Sequence, residues 1–204
     1  LTVIRDINVL QVELQPTTHD LAILEPGILP DNVAYLRVRK MTTGIALEAR
    51  RQLHAWEASG VKSVVLDLRD NGGGVFIEGL RLAESFLKNQ QTLVHIVREG
   101  SAAQSFLSGN DDPLKMRVAV LSNARTASAA EIAIAALVDA GRATAVGTRT
   151  YGKAIMEQTF ELANEMRVRF IIGAMYAPNG VTWHEVGLQP TIQVAATAQQ
   201  VREW

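Results

Sequence analysis

The 204-residue chain contains no cysteine, which excludes a disulfide scaffold, a thiol nucleophile and any metal site built on cysteine. It also lacks an apolar run near the roughly 18 residues that a membrane-spanning helix needs. The longest apolar helical segment, at 132–138, lies between Glu131 and Asp139. Neither sign of charge dominates, because 20 Lys plus Arg residues balance 21 Asp plus Glu residues. This balance argues against a nucleic-acid-binding surface, which is usually strongly basic.

The pattern of apolar residues predicts an α/β domain. Hydrophobic residues make up 48% of the chain and charged residues 20%, which are ordinary values for a folded protein. Short apolar strands alternate with amphipathic helices, an order typical of a mostly parallel sheet flanked by helices, and the C-terminal part is more antiparallel. The pattern predicts helices over 43–59, 76–88 and 128–140. It predicts strands over 2–15, 34–40, 61–68, 92–98, 116–122, 143–148, 155–162, 166–173 and 191–195, and loops over 16–31 and 99–114.

Ser128 is the first candidate for chemistry, because it follows the predicted strand at 116–122 and begins a predicted helix. The unpaired amides of a helix N-terminus attract developing negative charge and can form an oxyanion hole. A structural alternative exists for the same residues. Thr126 or Ser128 would cap the helix, and Glu131 would complete a capping box.

Lys153, in the segment TYGKAIMEQ at 150–158, is the second candidate. A serine nucleophile needs a general base. The histidines lie in segments typical of surface or structural residues: His19, His54, His95 and His184. A lysine can replace histidine when burial keeps its side chain as the neutral amine near pH 7. The alternative is a surface lysine whose methylene stem lies along the protein.

The segment DLRDNGGG at 67–74 places three glycines directly after a predicted buried strand. Glycine permits positive φ angles and close backbone approach, so the turn can present amides to an oxyanion. It fits a plain strand-to-helix turn equally well. It is not a phosphate-binding loop, because it lacks both GxGxxG and a GK pair followed by Ser or Thr.

Together these segments resemble the C-terminal processing peptidases, also called tail-specific proteases, which are Ser/Lys-dyad endopeptidases. That family carries a DLRxNxGG turn, then a TASASEI-type segment, then TxGKGxxQ. This chain has DLRDNGGG (67–74), TASAAEI (126–132) and TYGKAIMEQ (150–158) in the same order. Lys153 follows Ser128 by 25 positions, as the family motif requires. The resemblance extends from about residue 2 to residue 195.

The resemblance implies a crotonase/ClpP-like α/β core and an acyl-enzyme mechanism. Ser128 would be the nucleophile and Lys153 the general base. The amide of Ala129, with that of Gly73 or Gly74, would form the oxyanion hole. Substrates would be proteins cleaved near exposed, largely apolar C-terminal tails in an exported compartment: periplasmic, lumenal or extracellular. No metal or organic cofactor is implied.

One departure from the family pattern lies beside the lysine. The family places Gln four residues after it, where the Gln helps to orient the dyad, whereas this chain has Glu157 there and Gln158 one position later. Lys153 and Glu157 face the same side of a strand, and a carboxylate there favours the ammonium form over the neutral base. Either a bulge brings Gln158 into place, or activity requires higher pH, or the dyad is impaired.

The family commonly carries a PDZ domain that gates the active site and reads the substrate's C-terminus. The segment at 2–14 resembles the stretch that follows that domain, and the chain has no room for the domain ahead of the core. We therefore expect residues 1–204 to form a single catalytic domain, with 1–15 following the PDZ domain of a longer protease.

Two other functions fit the same fold. One is a ligand-binding module without catalysis, like the retinoid-binding repeats that resemble these peptidases, and the replacement of Gln by Glu157 favours it. The other is an acyl-CoA enzyme of the crotonase group, which has no role for the paired Ser128 and Lys153. Labelling of Ser128 by a fluorophosphonate or a peptide boronate distinguishes a protease from a binding module.

Overall fold

The computed structural model describes residues 2–5, 8–11, 22–163 and 166–194. The α-helices in these residues are α1 (Ile45–Ala58), α2 (Phe76–Glu84) and α3 (Ala129–Asp139). The strands are β1 (Thr2–Arg5), β2 (Asn8–Gln11), β3 (Leu24–Leu29), β4 (Val33–Val38), β5 (Ser63–Asp67), β6 (Thr92–Val97), β7 (Gln104–Leu107), β8 (Arg117–Ser122), β9 (Ala143–Gly147), β10 (Ile155–Glu161), β11 (Arg167–Tyr176) and β12 (Ile192–Gln193).

Six strands form the main sheet, in the order β12-β9-β8-β5-β4-β3. Its neighbours run parallel except for β3, which pairs antiparallel with β4 at one edge. The central strands β5 and β8 carry buried apolar side chains such as Val64, Leu66 and Val120. α1 contacts β3 and α3 contacts β9, while α2 lies against both of the other helices. The predicted fold class, a mostly parallel sheet flanked by helices, is confirmed.

A second sheet of four antiparallel strands has the order β10-β11-β6-β7. Its longest pairing is the β10–β11 hairpin, whose register runs from Ile155 opposite Ala174 to Glu161 opposite Arg167. α2 and α3 contact β6, so the helices connect the two sheets. The predicted antiparallel C-terminal part is therefore present as a sheet of its own.

Two predictions near the N-terminus differ from the structure. The continuous strand over 2–15 is wrong, because β1 and β2 pair with each other as an antiparallel hairpin; 12–15 lie outside the described residues. The loop over 16–31 is wrong for Leu24–Leu29, which forms β3; 16–21 lie outside the described residues. Pro26 suggested a loop. An edge strand tolerates proline, however, because the N–H groups on its unpaired side donate to no neighbouring strand.

The loop predicted over 99–114 is also wrong in part. Residues Gln104–Leu107 form β7, which pairs antiparallel with β6 at the edge of the second sheet. This segment is short and largely exposed, so its own apolar pattern does not indicate a strand. Its pairing partner decides its structure.

Most element boundaries shift by one to three residues, and the end of α2 shifts furthest. α2 ends at Glu84 rather than 88. The last strand is reduced to Ile192–Gln193, which pairs with the end of β9; residue 195 of the predicted strand lies outside the described residues.

Gly79 allows α2 to pack closely against the first turn of α3. A Cβ atom placed on Gly79 would lie 2.2 Å from the carbonyl oxygen of Ala129 and 2.9 Å from its carbonyl carbon. Such distances are far below van der Waals contact, so one helix would have to move. Because Gly79 has no side chain, α2 can lie directly against Ala129, the residue that follows Ser128.

We expect Gly79→Ala to destabilise the fold, although alanine favours a helix over glycine by about 1 kcal/mol. The clash with Ala129 should outweigh that gain and leave a net loss of about 1–2 kcal/mol. Urea unfolding of the variant measures it. Gly72→Ala is the matched control, since a Cβ there meets nothing within 4 Å. Equal or greater stability of Gly79→Ala would contradict this account of the helix contact.

Candidate active site

The candidate residues follow the C-terminal ends of two neighbouring parallel strands. β5 pairs with β8, and Asp67 lies opposite Leu121 at the ends of the two strands. The glycine turn follows β5, and the segment that leads into α3 follows β8. In open α/β sheets, ligands bind outside the carboxyl ends of the strands, so this arrangement brings both motifs to a common edge.

Ser128 has a strained backbone at the start of α3. It is the N-cap residue, with φ 57° and ψ −120°, a combination that residues other than glycine rarely adopt. A serine on a sharp strand-to-helix turn with this kind of strain is typical of hydrolase nucleophiles, because the turn exposes the hydroxyl. The Glu131 carboxylate accepts the Ser128 N–H at 2.8 Å, so the capping role predicted for Glu131 is present as well.

The glycine turn packs directly on this serine. Gly73 has φ 90°, and a Cβ on it would lie 2.8 Å from Ser128 Cβ and 3.0 Å from the Ala129 nitrogen. Gly74 has φ 140°, and a Cβ on it would lie 2.3 Å from the Met41 carbonyl oxygen. Only glycine combines these φ values with such close contacts. Gly73 is therefore required for the turn to lie against the start of α3, and Gly74 for the turn to lie against Met41.

The amides of this region differ in their availability. The Gly73 N–H already donates to Asn71 Oδ1 at 2.9 Å. The N–H groups of Gly74 and Ala129 have no acceptor among the residues that the structure describes. Ala129 is the first residue of α3, where an amide has no intrahelical partner. Of the amides named from the sequence, those of Gly74 and Ala129 are free to bind an oxyanion.

Asn71 is a structural residue that the sequence reasoning missed. Asn71 is fully buried. Its side-chain Nδ2 donates to the Val38 carbonyl at 2.9 Å, and its backbone carbonyl oxygen accepts the Ala127 N–H at 2.9 Å. Together with its bond to Gly73, these contacts join the end of β4, the glycine turn and the nucleophile segment. The asparagine within DLRDNGGG was the available signal, since an Asn side chain both donates and accepts.

Glu131 connects the serine segment to the lysine segment. Its buried carboxylate accepts four hydrogen bonds, two at each oxygen. Oε2 accepts the N–H groups of Ser128 and Lys153 at 2.8 and 2.9 Å, and Oε1 accepts the Gly152 N–H at 2.8 Å and the Thr150 hydroxyl at 2.5 Å. The backbones of the two candidate catalytic residues therefore meet at one oxygen atom. The sequence indicated Glu131 only as a helix cap.

The Lys153 side chain is in contact with Glu157. Its Nζ lies 2.5 Å from Glu157 Oε2, and the two side chains are 35% and 27% exposed. The hydrogen bond from Lys153 lowers the pKa of Glu157 below its usual value. The hairpin does contain a bulge beside Glu157, but the additional residue, Ile172, is on β11. The alternation of β10 therefore continues, and Gln158 lies opposite Phe170 on the other face.

Asp67 anchors the start of the glycine turn through an ion pair. Its fully buried carboxylate accepts hydrogen bonds from the Arg69 guanidinium at 2.6–3.1 Å and from the Tyr35 hydroxyl at 2.6 Å. Burial raises the pKa of Asp67, but the hydrogen bonds from Arg69 and Tyr35 outweigh it and hold the pKa below its ordinary value. For Tyr35, burial and the bond to Asp67 both raise the pKa.

No group of three or more His, Asp or Glu side chains in the described part of the chain is arranged to hold a metal ion. None of the helices found there is long and apolar enough to cross a membrane.

Residues 32–194 match the sequence model of peptidase family S41. The chain belongs to this family. A carboxyl-terminal-processing protease of Synechocystis is 31% identical over 179 residues, which are 88% of this chain and 41% of the relative. The chloroplastic carboxyl-terminal-processing peptidase 3 of Arabidopsis thaliana is 32% identical over 202 residues, covering 92% of this chain and 38% of the relative. The chain thus spans about two fifths of the length of these S41 relatives.

Solved structures agree with this assignment. The photosystem II D1 C-terminal processing protease is similar to this S41 chain with a TM-score of 0.79 and 26% identity, over 92% of this chain and 51% of that one. A peptidase structure from Parabacteroides merdae has a TM-score of 0.74 at 21% identity, over 89% and 60% of the two chains. The latter likeness concerns the fold alone.

We expect Glu131→Gln to destabilise the S41 domain by about 2–4 kcal/mol, because an amide offers one acceptor and turns its NH₂ towards existing donors. Denaturant unfolding measures the loss. Glu99→Gln, at an exposed position, is the matched control and should change stability by less than about 0.5 kcal/mol. Equal stabilities of the two variants would show that the four-donor site at Glu131 contributes nothing.

We expect Asp67 to make stability depend on acid pH. The pKa of Asp67 is lower in the folded chain than its value of about 4 in an unfolded chain. Its contribution to the free energy of unfolding is therefore complete above about pH 4 and is lost as the pH falls through the pKa of the folded state. Unfolding free energies measured between pH 2 and pH 6 should therefore fall less steeply with acid in Asp67→Asn than in the unmodified chain. Asp112→Asn, at an exposed site, should keep the original slope.

Proposed function

We propose that this chain is the catalytic core of a serine endopeptidase, with Ser128 as the nucleophile and Lys153 as its general base. The observation that carries the proposal is the strained N-cap conformation of Ser128, whose N–H shares one carboxylate oxygen with the N–H of Lys153. Strain of this kind persists only where the surroundings enforce it. Here Glu131 and the glycine turn supply that enforcement.

In the proposed mechanism, the Ser128 hydroxyl oxygen attacks the carbonyl carbon of a peptide bond while neutral Lys153 takes the hydroxyl proton. The amides of Ala129 and Gly74 stabilise the resulting oxyanion, each donor being worth about 3–4 kcal/mol in such a site. Lys153 then gives its proton to the leaving amine, and the peptide C–N bond breaks. Water then attacks the acyl ester while Lys153 takes its proton, the ester C–O bond breaks, and Lys153 returns the proton to the Ser128 oxygen.

We infer protein substrates with exposed, largely apolar C-terminal tails, and an exported location: periplasmic, lumenal or extracellular. The family resemblance supports both inferences, and the relatives' names, which specify carboxyl-terminal processing, support the first. We further propose that residues 1–204 act as one catalytic domain of a longer protease, with 1–15 following a PDZ domain, since the relatives are more than twice as long.

A second candidate function is a non-catalytic ligand-binding module of the same fold. The ion pair between Lys153 and Glu157 favours it, because a lysine held as the ammonium accepts no proton. The two functions differ in whether Ser128 is reactive.

We expect the chain to hydrolyse an unstructured protein such as β-casein and to lose at least about a thousandfold of that activity in Ser128→Ala and in Lys153→Ala. Hydrolysis is measured between pH 6 and pH 10, with fluorophosphonate labelling followed by peptide mapping as a second readout. Ser122→Ala is the control and should keep the activity. The Ser122 hydroxyl, at the end of β8, donates to the Thr148 carbonyl and has no role in the proposed mechanism. Absence of both hydrolysis and Ser128 labelling at every pH would favour the binding module.

A further inference from the structure

Lys153 must be a neutral amine in the proposed mechanism, and its amine is in contact with the Glu157 carboxylate. Lys153 Nζ donates a charge-assisted hydrogen bond to Glu157 Oε2. A carboxylate in such a contact stabilises the ammonium over the neutral amine. The pair is also partly exposed, so water screens it and either side chain can rotate away.

Other ionisable residues belong to the lysine segment or to segments that contact its backbone. Glu131 on α3 accepts the backbone N–H of Lys153, and Glu185 lies beside Gly152 through its own N–H. His184 precedes Glu185 in the same turn, and Tyr151 precedes Gly152 in the lysine segment. These groups are common to every form of the protein compared below, so they do not affect the differences among variants.

Arg169 gives the Glu157 carboxylate a second cation. Glu157 lies opposite Ile171 on β11, and Arg169, two residues along, belongs to the same face of the hairpin. Its charge contributes, after that of Lys153, to the low pKa of Glu157. Two cations therefore act on the charge of Glu157, and of these only Lys153 has a role in the proposed mechanism.

Resting on the proposed function, we propose that Glu157 is a positioning residue that stabilises Lys153 as the ammonium and raises the pH at which the dyad becomes active, and that Arg169 competes for the same carboxylate. When Lys153 loses its proton, Glu157 pairs with Arg169 instead. The proton goes to solvent, and no bond other than N–H is broken. In this respect the chain differs from a dyad oriented by Gln, because a neutral Gln side chain carries no charge that would stabilise the lysine ammonium.

Two measurements test the proposal: the pH dependence of β-casein hydrolysis, and NMR titration of the ¹³Cε signal of Lys153 in the Ser128→Ala protein, assigned by its loss in Lys153→Ala. We expect Glu157→Gln to lower both midpoints by about one pH unit, and hence to raise hydrolysis below both midpoints about tenfold. Glu161→Gln, on the same strand at the exposed hairpin end, is the matched control and should leave both midpoints unchanged.

Arg169→Gln tests the competition. We expect it to raise the midpoints when Glu157 is present and to have less effect in the Glu157→Gln background, because the competition requires the carboxylate. Equal effects in both backgrounds would show direct repulsion between Arg169 and Lys153 and would overturn that part of the proposal.

Coincident NMR midpoints with and without the Glu157→Gln substitution would overturn the proposal as a whole. A shifted NMR midpoint without any Ser128-dependent hydrolysis would instead support the charge control by Glu157 and contradict the peptidase function. The NMR titration does not depend on activity, so failure of the proposed function and failure of this inference give different results.

Discussion

The arrangement of the site depends on one buried carboxylate. Glu131 accepts hydrogen bonds from two segments that are far apart in the chain, the turn around Ser128 and the residues from Thr150 to Lys153. A buried carboxylate is costly unless its oxygens are fully hydrogen-bonded, and four donors meet that requirement here. Because three of the donors are backbone N–H groups, the contact fixes main-chain positions rather than flexible side chains. The backbones of a strained serine and a lysine are thereby held at one carboxylate.

Close backbone packing completes the site around that carboxylate. Gly73 lies against Ser128, and Gly79 lies against Ala129, so the glycine turn and α2 both approach the start of α3 without a side chain between them. The Asn71 side chain accepts the Gly73 N–H, so of these two glycine amides only that of Gly74 remains available as a donor in the described residues. Backbone strain, close approach and free amides therefore occur in the same few residues.

Parts of this site could be predicted because their signals are local. The order of the motifs, the helix start at Ser128 and the glycine turn after a buried strand are patterns of adjacent residues. The placement of Lys153 and Glu157 on one side of the chain followed from strand alternation. The roles of Asn71 and Glu131 were not predictable in the same way. Their partners, such as Val38 and Gly152, are 33 and 21 positions away, and only the packed chain brings them into contact.

By itself, the sequence determined the α/β class, the family and the residues that can carry chemistry, since periodicity and motif spacing are properties of neighbouring residues. The tertiary structure alone decided that Leu24–Leu29 and Gln104–Leu107 are edge strands, because an edge strand gains its hydrogen bonds from a partner rather than from its own pattern. It also decided that one carboxylate, that of Glu131, joins the serine segment to the lysine segment. Those outcomes depend on hydrogen bonds between distant residues, and such bonds form only when the core has brought their segments together.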